Sequence, residues 1–288
     1  VPELPEVETT RRGIQDHVTG CRLTSWTIRN AALRWPVELP SSLRNQTIVR
    51  VDRRAKYLLF RLHPEGAIAP ETSTGALIVH LGMSGSLRVV DDQVTVKKHD
   101  HVDFCFDNGA ILRLHDPRRF GSVHYQGEPV AEHFLLKKLG VEPLGDDFNG
   151  AYMKRLAKGK KVAVKNFLMN GHVVVGVGNI YANEALFLAG IRPTVPAQKL
   201  TLPAWDALAT AVRSVLQSAI QMGGTTLRDY VGGQGDPGYF KQSLNVYGRE
   251  GELCTLCDTK LRSLRLGQRA TVYCPKCQQP RGFRNNQC

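Results

Sequence analysis

Four cysteines near the C-terminal end, Cys254, Cys257, Cys274 and Cys277, fall in the spacing C-x2-C-x16-C-x2-C. Two such knuckles bring four thiolates to one tetrahedral zinc ion, and the run between them, Leu261–Tyr273, reads as a β-hairpin. A site with four cysteine ligands has no open coordination position, so one structural ion per chain is expected, without a catalytic part. The other three cysteines, Cys21, Cys105 and Cys288, are scattered and read as free thiols in a reducing compartment.

Arg262, Arg265, Arg269 and Lys276 decorate the ribbon, and Arg281 and Arg284 follow it. Over the whole chain 38 Lys and Arg face 26 Asp and Glu, a net charge of +12. That excess favours polyanionic partners, nucleic acid first and an acidic membrane surface second, and the arginines of the ribbon read as phosphate contacts. No apolar run approaches the roughly 20 residues of a spanning helix. No basic-then-apolar leader opens the sequence, so the expected location is the cytoplasm. The 288 residues suffice for more than one domain and a good-sized core.

From Arg22 to about Gln126 the pattern is one of short alternating runs. Thr47–Asp52 and Tyr57–His63 flank Arg53-Arg54-Ala55-Lys56, and Ala76–Leu81 and Ser86–Val90 flank Gly82-Met83-Ser84-Gly85. Val102–Phe106 and Ala110–His115 flank Asp107-Asn108-Gly109, whose Asn-Gly pair is a strong hairpin signal. Many strands with turn chemistry between them predict a β-sandwich or barrel, with an opening helix packed on it. Leu136 to Asn149, polar with Gly, Pro and Asp-Asp, reads as a linker. Helical patterns follow at Tyr152–Ala157, Val162–Met169, Ile180–Leu188 and Leu202–Gln221. In the last, Trp205, Leu208, Ala209, Val212, Val215, Leu216 and Ala219 keep helical spacing, and Gly223 provides a stop. The glycine-rich stretch from Gly223 to Tyr239 is by composition either a passive connection or a cover over a ligand.

The first residues carry the chemistry. Pro2, Glu3, Pro5, Glu6 and Glu8 precede or open a helix predicted from about Val7 to Val18, where proline costs nothing and carboxylates suit the positive end of the helix dipole. If Val1 is removed, Pro2 presents a secondary amine beside the Glu3 acid. A free α-amine titrates near about 8, well below lysine, so more of it is nucleophilic at neutral pH. Its adduct with an aldehyde-level carbon is an iminium, an electron sink suited to elimination. Elsewhere His99-Asp100-His101 reads as hydrogen-bonding or phosphate-contacting imidazoles. Met83 in its glycine-rich turn and Asp116-Pro117-Arg118-Arg119-Phe120-Gly121 together offer a wedge, apolar side chains entering a base stack with an arginine at the vacated pairing edge.

In chain order, PELPEVET (2–9), RRAKYLL (53–59), HLGMSGSLR (80–88), KHDHVD (98–103), DPRRFG (116–121), GVGNIYANE (176–184), GGTTL (223–227), PGYF (237–240) and the QRA with its four-cysteine module (268–277) resemble the bacterial formamidopyrimidine-DNA glycosylases. These are bifunctional enzymes that remove 8-oxoguanine and ring-opened purines. The resemblance spans almost the whole chain and departs at Val1, which stands where the family has its initiator methionine. It implies an α+β multidomain fold with an N-terminal catalytic β-sandwich and leading helix over 1–135. A linker, a helix–two-turns–helix domain and a base-covering loop would occupy 136–240, and a C-terminal zinc-finger β-hairpin 241–288.

By the same resemblance Pro2 attacks C1′ of the damaged nucleoside and Glu3 is the acid assisting base loss. Lys56 serves β-elimination and Arg269 δ-elimination. Met83, Arg118 and Phe120 fill the stack, with Arg118 facing the orphaned cytosine, and His99, Lys160 and Asn179 contact backbone phosphate. Thr225–Tyr239 becomes the loop closing over the flipped base. The implied partner is double-stranded DNA containing oxidised bases or abasic sites, met by a monomer in the bacterial cytoplasm, associated with the nucleoid through DNA and with no membrane. Val1 is expected to reflect an alternative start codon, the mature chain beginning at Pro2. Two other readings stand beside this one: an oxidised-pyrimidine glycosylase on the same scaffold, and a non-catalytic DNA-binding zinc protein should Val1 remain attached and make the Pro2 nitrogen an amide.

Overall fold

The computed structural model describes residues 2–64, 73–224 and 244–280. Val1, the stretch Thr225–Tyr239, and Arg281, Arg284 and Cys288 lie outside the described residues. The chain divides into two compact units, one holding the residues up to Lys138 and the segment that begins at Met222, the other beginning at Leu139 and including the cysteine module.

The first unit opens with helix α1, Leu4–Val18. It starts three residues earlier than the apolar periodicity predicts because Glu3 is its N-cap. The Glu6 carboxylate accepts from the Glu3 N–H at 2.9 Å, one half of a capping box, and Pro5 sits in the first turn where no N–H is needed. Val7, Ile14 and Val18 form the buried stripe of α1.

Eight strands follow: β1 Leu23–Ile28, β2 Thr47–Arg54, β3 Tyr57–His63, β4 Gly75–His80, β5 Ser86–Val90, β6 Asp100–Phe106, β7 Ile111–His115 and β8 Ser122–Gly127. They form two four-stranded antiparallel sheets, ordered β1-β6-β7-β5 and β2-β3-β4-β8. Leu58, Phe60, Leu77 and Val79 of one sheet and Leu87, Val102, Phe104, Leu112 and Leu114 of the other belong to a single buried cluster, which α1 joins. Two local hairpins obey their turn chemistry. Gly109 takes φ +85° at the Asp107-Asn108-Gly109 turn, and Ala55-Lys56 closes β2 onto β3 with Ala55 at φ +55°. The Gly82–Gly85 turn does something else: it carries the chain from β4 in one sheet to β5 in the other.

The second unit contains α2 Gly150–Ala157, α3 Val164–Leu168, α4 Asn179–Leu188 and α5 Leu202–Gln221. Turns at Asn170 and Val173 join α3 to α4, giving the helix–two-turns–helix arrangement. α5 has the predicted limits and buries Trp205, Leu208, Val212, Val215, Leu216 and Ala219, with the Trp205 ring 5.6 Å from that of Phe167. The polar segment after Leu139 is packed here and is no free tether. Val141 bridges Val174, Phe148 is fully buried, and the Arg213 guanidinium donates to the carbonyls of Gly145 and Phe148. Strands β9 Arg262–Leu266 and β10 Arg269–Tyr273 pair through a two-residue turn, Gly267-Gln268, in which both residues have positive φ. Among the described residues no helix is long and apolar enough to cross a membrane.

Candidate active site and nucleic-acid interface

Pro2 precedes Glu3, the N-cap of α1, and lines a cavity of about 430 Å³ in the first unit. The other lining residues are Arg34, Trp35, Lys56, Tyr57, His80, Gly82, Met83, Phe120 and Leu135. Three separate turns thus converge on the proline: Ala55-Lys56, Gly82–Gly85 and Asp116–Gly121. Glu3 follows Pro2, 2% exposed, with its backbone held by Glu6. Glu6 is itself fully buried, and Gly224 packs against it so closely that a Cβ there would lie 3.1 Å from Glu6 Oε1.

The two turns that carry the expected wedge are built as one piece. Arg118 Nη2 donates to the Met83 carbonyl at 2.9 Å, and Ser84 Oγ donates to the buried Asp116 carboxylate at 3.0 Å. The second oxygen of Asp116 accepts the Gly121 N–H at 2.7 Å. Gly82, at φ +66°, lies so near Phe120 and Gly121 that a Cβ would sit 2.4 Å from their backbone atoms, which only glycine permits. On this support Met83 and Phe120 remain 36% and 43% exposed, an unusual condition for such side chains next to a cavity.

His80 is a site residue that motif reading left unassigned. It pairs with Tyr57 across β3 and β4, their rings 4.8 Å apart. Burial, followed by the positive charges of Lys56 and Arg34, lowers its pKa to about 4. The imidazole is therefore neutral at physiological pH. Its Nδ1 accepts the Gly82 N–H at 3.1 Å, which leaves the proton on Nε2. Arg34 and Trp35 join the lining without any motif, whereas Tyr57 and His80 stand in the motif runs that adjoin Lys56 and Met83.

His99 stands among hydrogen-bonded imidazoles. His101 bonds the Asp116 carbonyl at 2.9 Å and His115 bonds Asp100 at 2.7 Å, while the His99 ring contacts both imidazoles edge-on. Below lies a buried ion network in which Arg113 holds Asp103 with two bonds of 2.9 Å.

In the second unit Lys160 is exposed after α2, and Arg269 is exposed as the first residue of β10. Asn179 is the first residue of α4, after Gly178 as N-cap, and among the described residues its buried Oδ1 has no hydrogen-bond partner. The four cysteine sulfurs lie within 4.8 Å of one another, with separations of 3.4, 3.5 and 3.9 Å for three of the pairs. Zinc–sulfur bonds of about 2.3 Å in a tetrahedron require separations of about 3.8 Å, so the donor set and its size fit one structural zinc ion.

Fold and sites together define a DNA-repair glycosylase built from a β-sandwich, a helical domain and a zinc finger. Residues 1–123 match the formamidopyrimidine-DNA glycosylase N-terminal domain, 139–231 the formamidopyrimidine-DNA glycosylase H2TH domain, and 251–280 the zinc finger found in FPG and IleRS. The formamidopyrimidine-DNA glycosylases of Thioalkalivibrio sulfidiphilus and Stutzerimonas stutzeri are 54% and 53% identical to it over 281 residues, 97% of this chain and 100% of each relative. Among solved structures, a Lactococcus lactis FPG variant in complex with Fapy-dG DNA superposes with a TM-score of 0.87 at 32% identity, covering 96% of this chain and 100% of the other. MutM (FPG) from Thermus thermophilus gives 0.84 at 36% identity, with 96% and 98% covered. The chain belongs to the formamidopyrimidine-DNA glycosylase family.

Proposed function

We propose that this chain excises oxidised purines, 8-oxoguanine and formamidopyrimidines, from duplex DNA and then cleaves the strand at the resulting abasic site. The observation that carries the reading is the convergence of Pro2, Lys56, Met83 and Phe120 on one cavity, with Glu3 buried beside it. Relatives support the substrate class: one L. lactis FPG structure holds Fapy-dG DNA, and a MutM structure holds DNA with carbocyclic 8-oxo-G. A further L. lactis FPG complex contains an oxidised pyrimidine, which favours such bases as a second group of substrates.

In this mechanism the Pro2 nitrogen, N-terminal in the mature chain, adds to C1′ as the glycosidic bond breaks and its electron pair leaves with the base. Glu3 delivers the proton that opens the sugar ring at O4′, and the C1′–N bond becomes an iminium. That cation acidifies C2′–H. Loss of this proton expels the 3′ phosphate by β-elimination, assisted by Lys56. A second elimination, assisted by Arg269, expels the 5′ phosphate, and hydrolysis then frees Pro2. Flipping the nucleotide costs a few kcal/mol of unstacking, which the wedge of Met83, Arg118 and Phe120 and the phosphate contacts of His99, Lys160 and Asn179 offset. The zinc held by Cys254, Cys257, Cys274 and Cys277 keeps the hairpin that carries Arg269 folded.

The division into 1–135, 136–240 and 241–288 assigns catalysis, DNA grip and zinc support to successive parts, acting as a monomer in the bacterial cytoplasm on the nucleoid. The test is borohydride trapping on an 8-oxoguanine duplex, followed by peptide mapping. A covalent adduct on Pro2 is expected. Absence of any adduct while the base is released would replace the amine with a water nucleophile.

A further inference from the structure

Strand β10 is fastened to the rest of its unit at four consecutive residues. The Lys165 ammonium, fully buried on α3, donates to the Ala270 carbonyl at 2.8 Å and to Thr271 Oγ1 at 2.7 Å. Val272 N–H donates to Asn183 Oδ1 at 2.9 Å, and Arg192 donates to the Tyr273 hydroxyl at 2.9 Å. These bonds start one residue after Arg269, so the exposed arginine projects from the end of a clamped strand.

Asn183 differs from the other clamps in what its second group does. It is fully buried on α4, and its Nδ2 donates to the Asn179 carbonyl at 2.6 Å, one turn back at the helix start. One side-chain amide therefore joins the first residue of α4 to β10. Both of its ends lead to a residue with DNA-facing chemistry: Asn179, whose buried oxygen has no partner among the described residues, and Arg269, three residues before Val272. A buried asparagine in a helix interior disfavours the helix relative to an apolar residue, and burying an amide is costly unless its groups are matched. Here both groups are matched, the oxygen by β10 and the amide nitrogen by the first residue of Asn183's own helix.

We propose that Asn183 is a positioning residue that fixes Arg269 relative to the phosphate-binding start of α4. The proposal rests on the roles given above to Arg269 and Asn179. A phosphate held at α4 then sits at a set distance from the arginine, and the second elimination depends on that distance. Removing the link leaves Pro2, Glu3 and Lys56 untouched, so base release and the first elimination should persist while the second weakens.

The experiment compares Asn183→Leu, which keeps the branched shape and removes both bonds, and Asn183→Ser, which is too short to bridge, with the parent and with Arg269→Ala. Each full-length, zinc-loaded protein is mixed in excess with a pre-formed abasic duplex, and the yields of β- and δ-elimination products are followed in single turnover. The δ-to-β ratio should fall about tenfold or more in the Asn183 variants, in the range by which ångström-scale misplacement slows chemistry. The β-elimination rate and the zinc content should stay at the parental level. A purely structural role predicts instead a parallel loss of both products or of zinc. A parental δ-to-β ratio in whichever Asn183 variant is folded overturns the proposal. If Arg269→Ala itself keeps the parental ratio, the fault lies with the role of Arg269; loss of δ-product in Arg269→Ala alone isolates the failure to Asn183.

Discussion

Arg118 donates to the carbonyl of Met83 at 2.9 Å, so the arginine and the methionine of the proposed wedge are parts of one rigid corner. The Ser84–Asp116 bond and the close approach of Gly82 to Phe120 tighten the same corner. A wedge must resist being pushed back by the stack it enters, and this one is braced by charge-assisted and buried bonds, the stronger kind.

Replacing Arg118 by Ala should therefore have two effects. Discrimination between cytosine and adenine opposite the lesion should drop by about 1–3 kcal/mol, the usual weight of a good base contact. Affinity for the lesion duplex should also weaken, because Met83 loses its brace. Titration of paired duplexes differing only in the opposite base would measure both. Unchanged discrimination would remove Arg118 from the pairing edge.

The first unit should lose stability as the pH falls. Burial, with added positive charge from Lys56 and Arg34, lowers His80 to about 4; burial, with His133 nearby, lowers His124 to about 4. In the unfolded chain each titrates near about 6.5. Between those values the unfolded state binds protons that the folded state does not, so stability is complete above about pH 6.5 and declines toward pH 4. His124→Leu should flatten that decline by about one proton, read from denaturant midpoints at a series of pH values. An equal slope in variant and parent would show that His124 does not titrate on unfolding.

Glu184 offers a sharper stability test. Its carboxylate, 1% exposed on α4, accepts the backbone N–H groups of Asn245, Val246 and Tyr247 and the Asn245 side-chain amide, all at 2.8 to 3.1 Å. Glu184→Ala strands three backbone donors and should cost about 3–5 kcal/mol, as loss of one partner from a buried charged cluster does. A loss below about 1 kcal/mol in chemical denaturation would mean that water replaces the carboxylate there.

These three cases divide what a sequence announces from what it does not. The zinc ligands, α5 and the Asn108-Gly109 hairpin are local signals: ligand spacing, helical period and turn chemistry act over a few residues. α1 ends at Val18 as its periodicity predicts but begins three residues earlier, because a capping box sets its start. His80, Asn183 and Glu184 lie inside family motifs but, like Lys165, show no local pattern that tells what they bond. Each is a polar residue whose partner lies on another element, Tyr57 for His80, Thr271 for Lys165, Val272 for Asn183, and only the folded register brings the pairs together. Pro2, Lys56, Met83 and Phe120 are each marked by a family motif, but their convergence, with Trp35 and Arg34, exists only in three dimensions.

Zinc removal should act on the second unit alone. The cluster around the knuckles is small, with Phe187, Val246, Leu261 and Val272 packed against the cysteines, so the metal supplies much of its cohesion. Cys254→Ser should abolish stoichiometric zinc and weaken DNA binding severely. The sandwich, whose core contains none of these residues, should keep its thermal transition. Full zinc retention on metal analysis would refute the ligand set.

The pairing of Pro2 with Glu3 allows the two halves of the chemistry to be separated. Releasing an intact damaged base needs the nucleophile and also a proton as the glycosidic bond and the sugar ring open. A pre-formed abasic site already equilibrates with its open aldehyde, and the amine condenses with it under less acid assistance. Glu3→Gln should therefore slow 8-oxoguanine release by about 10²-fold or more, the weight of a positioned acid, and spare much of the nicking of abasic DNA. Glutamine keeps an acceptor at the N-cap, so α1 should form and the comparison is not confounded by unfolding. Pro2→Gly changes the attacking amine and should weaken both steps, with residual turnover from the new primary amine. Parallel single-turnover cleavage of a lesion duplex and an abasic duplex, with borohydride trapping, reads all three proteins. Equal losses on both substrates for Glu3→Gln would show that its carboxyl serves the amine rather than the departing base.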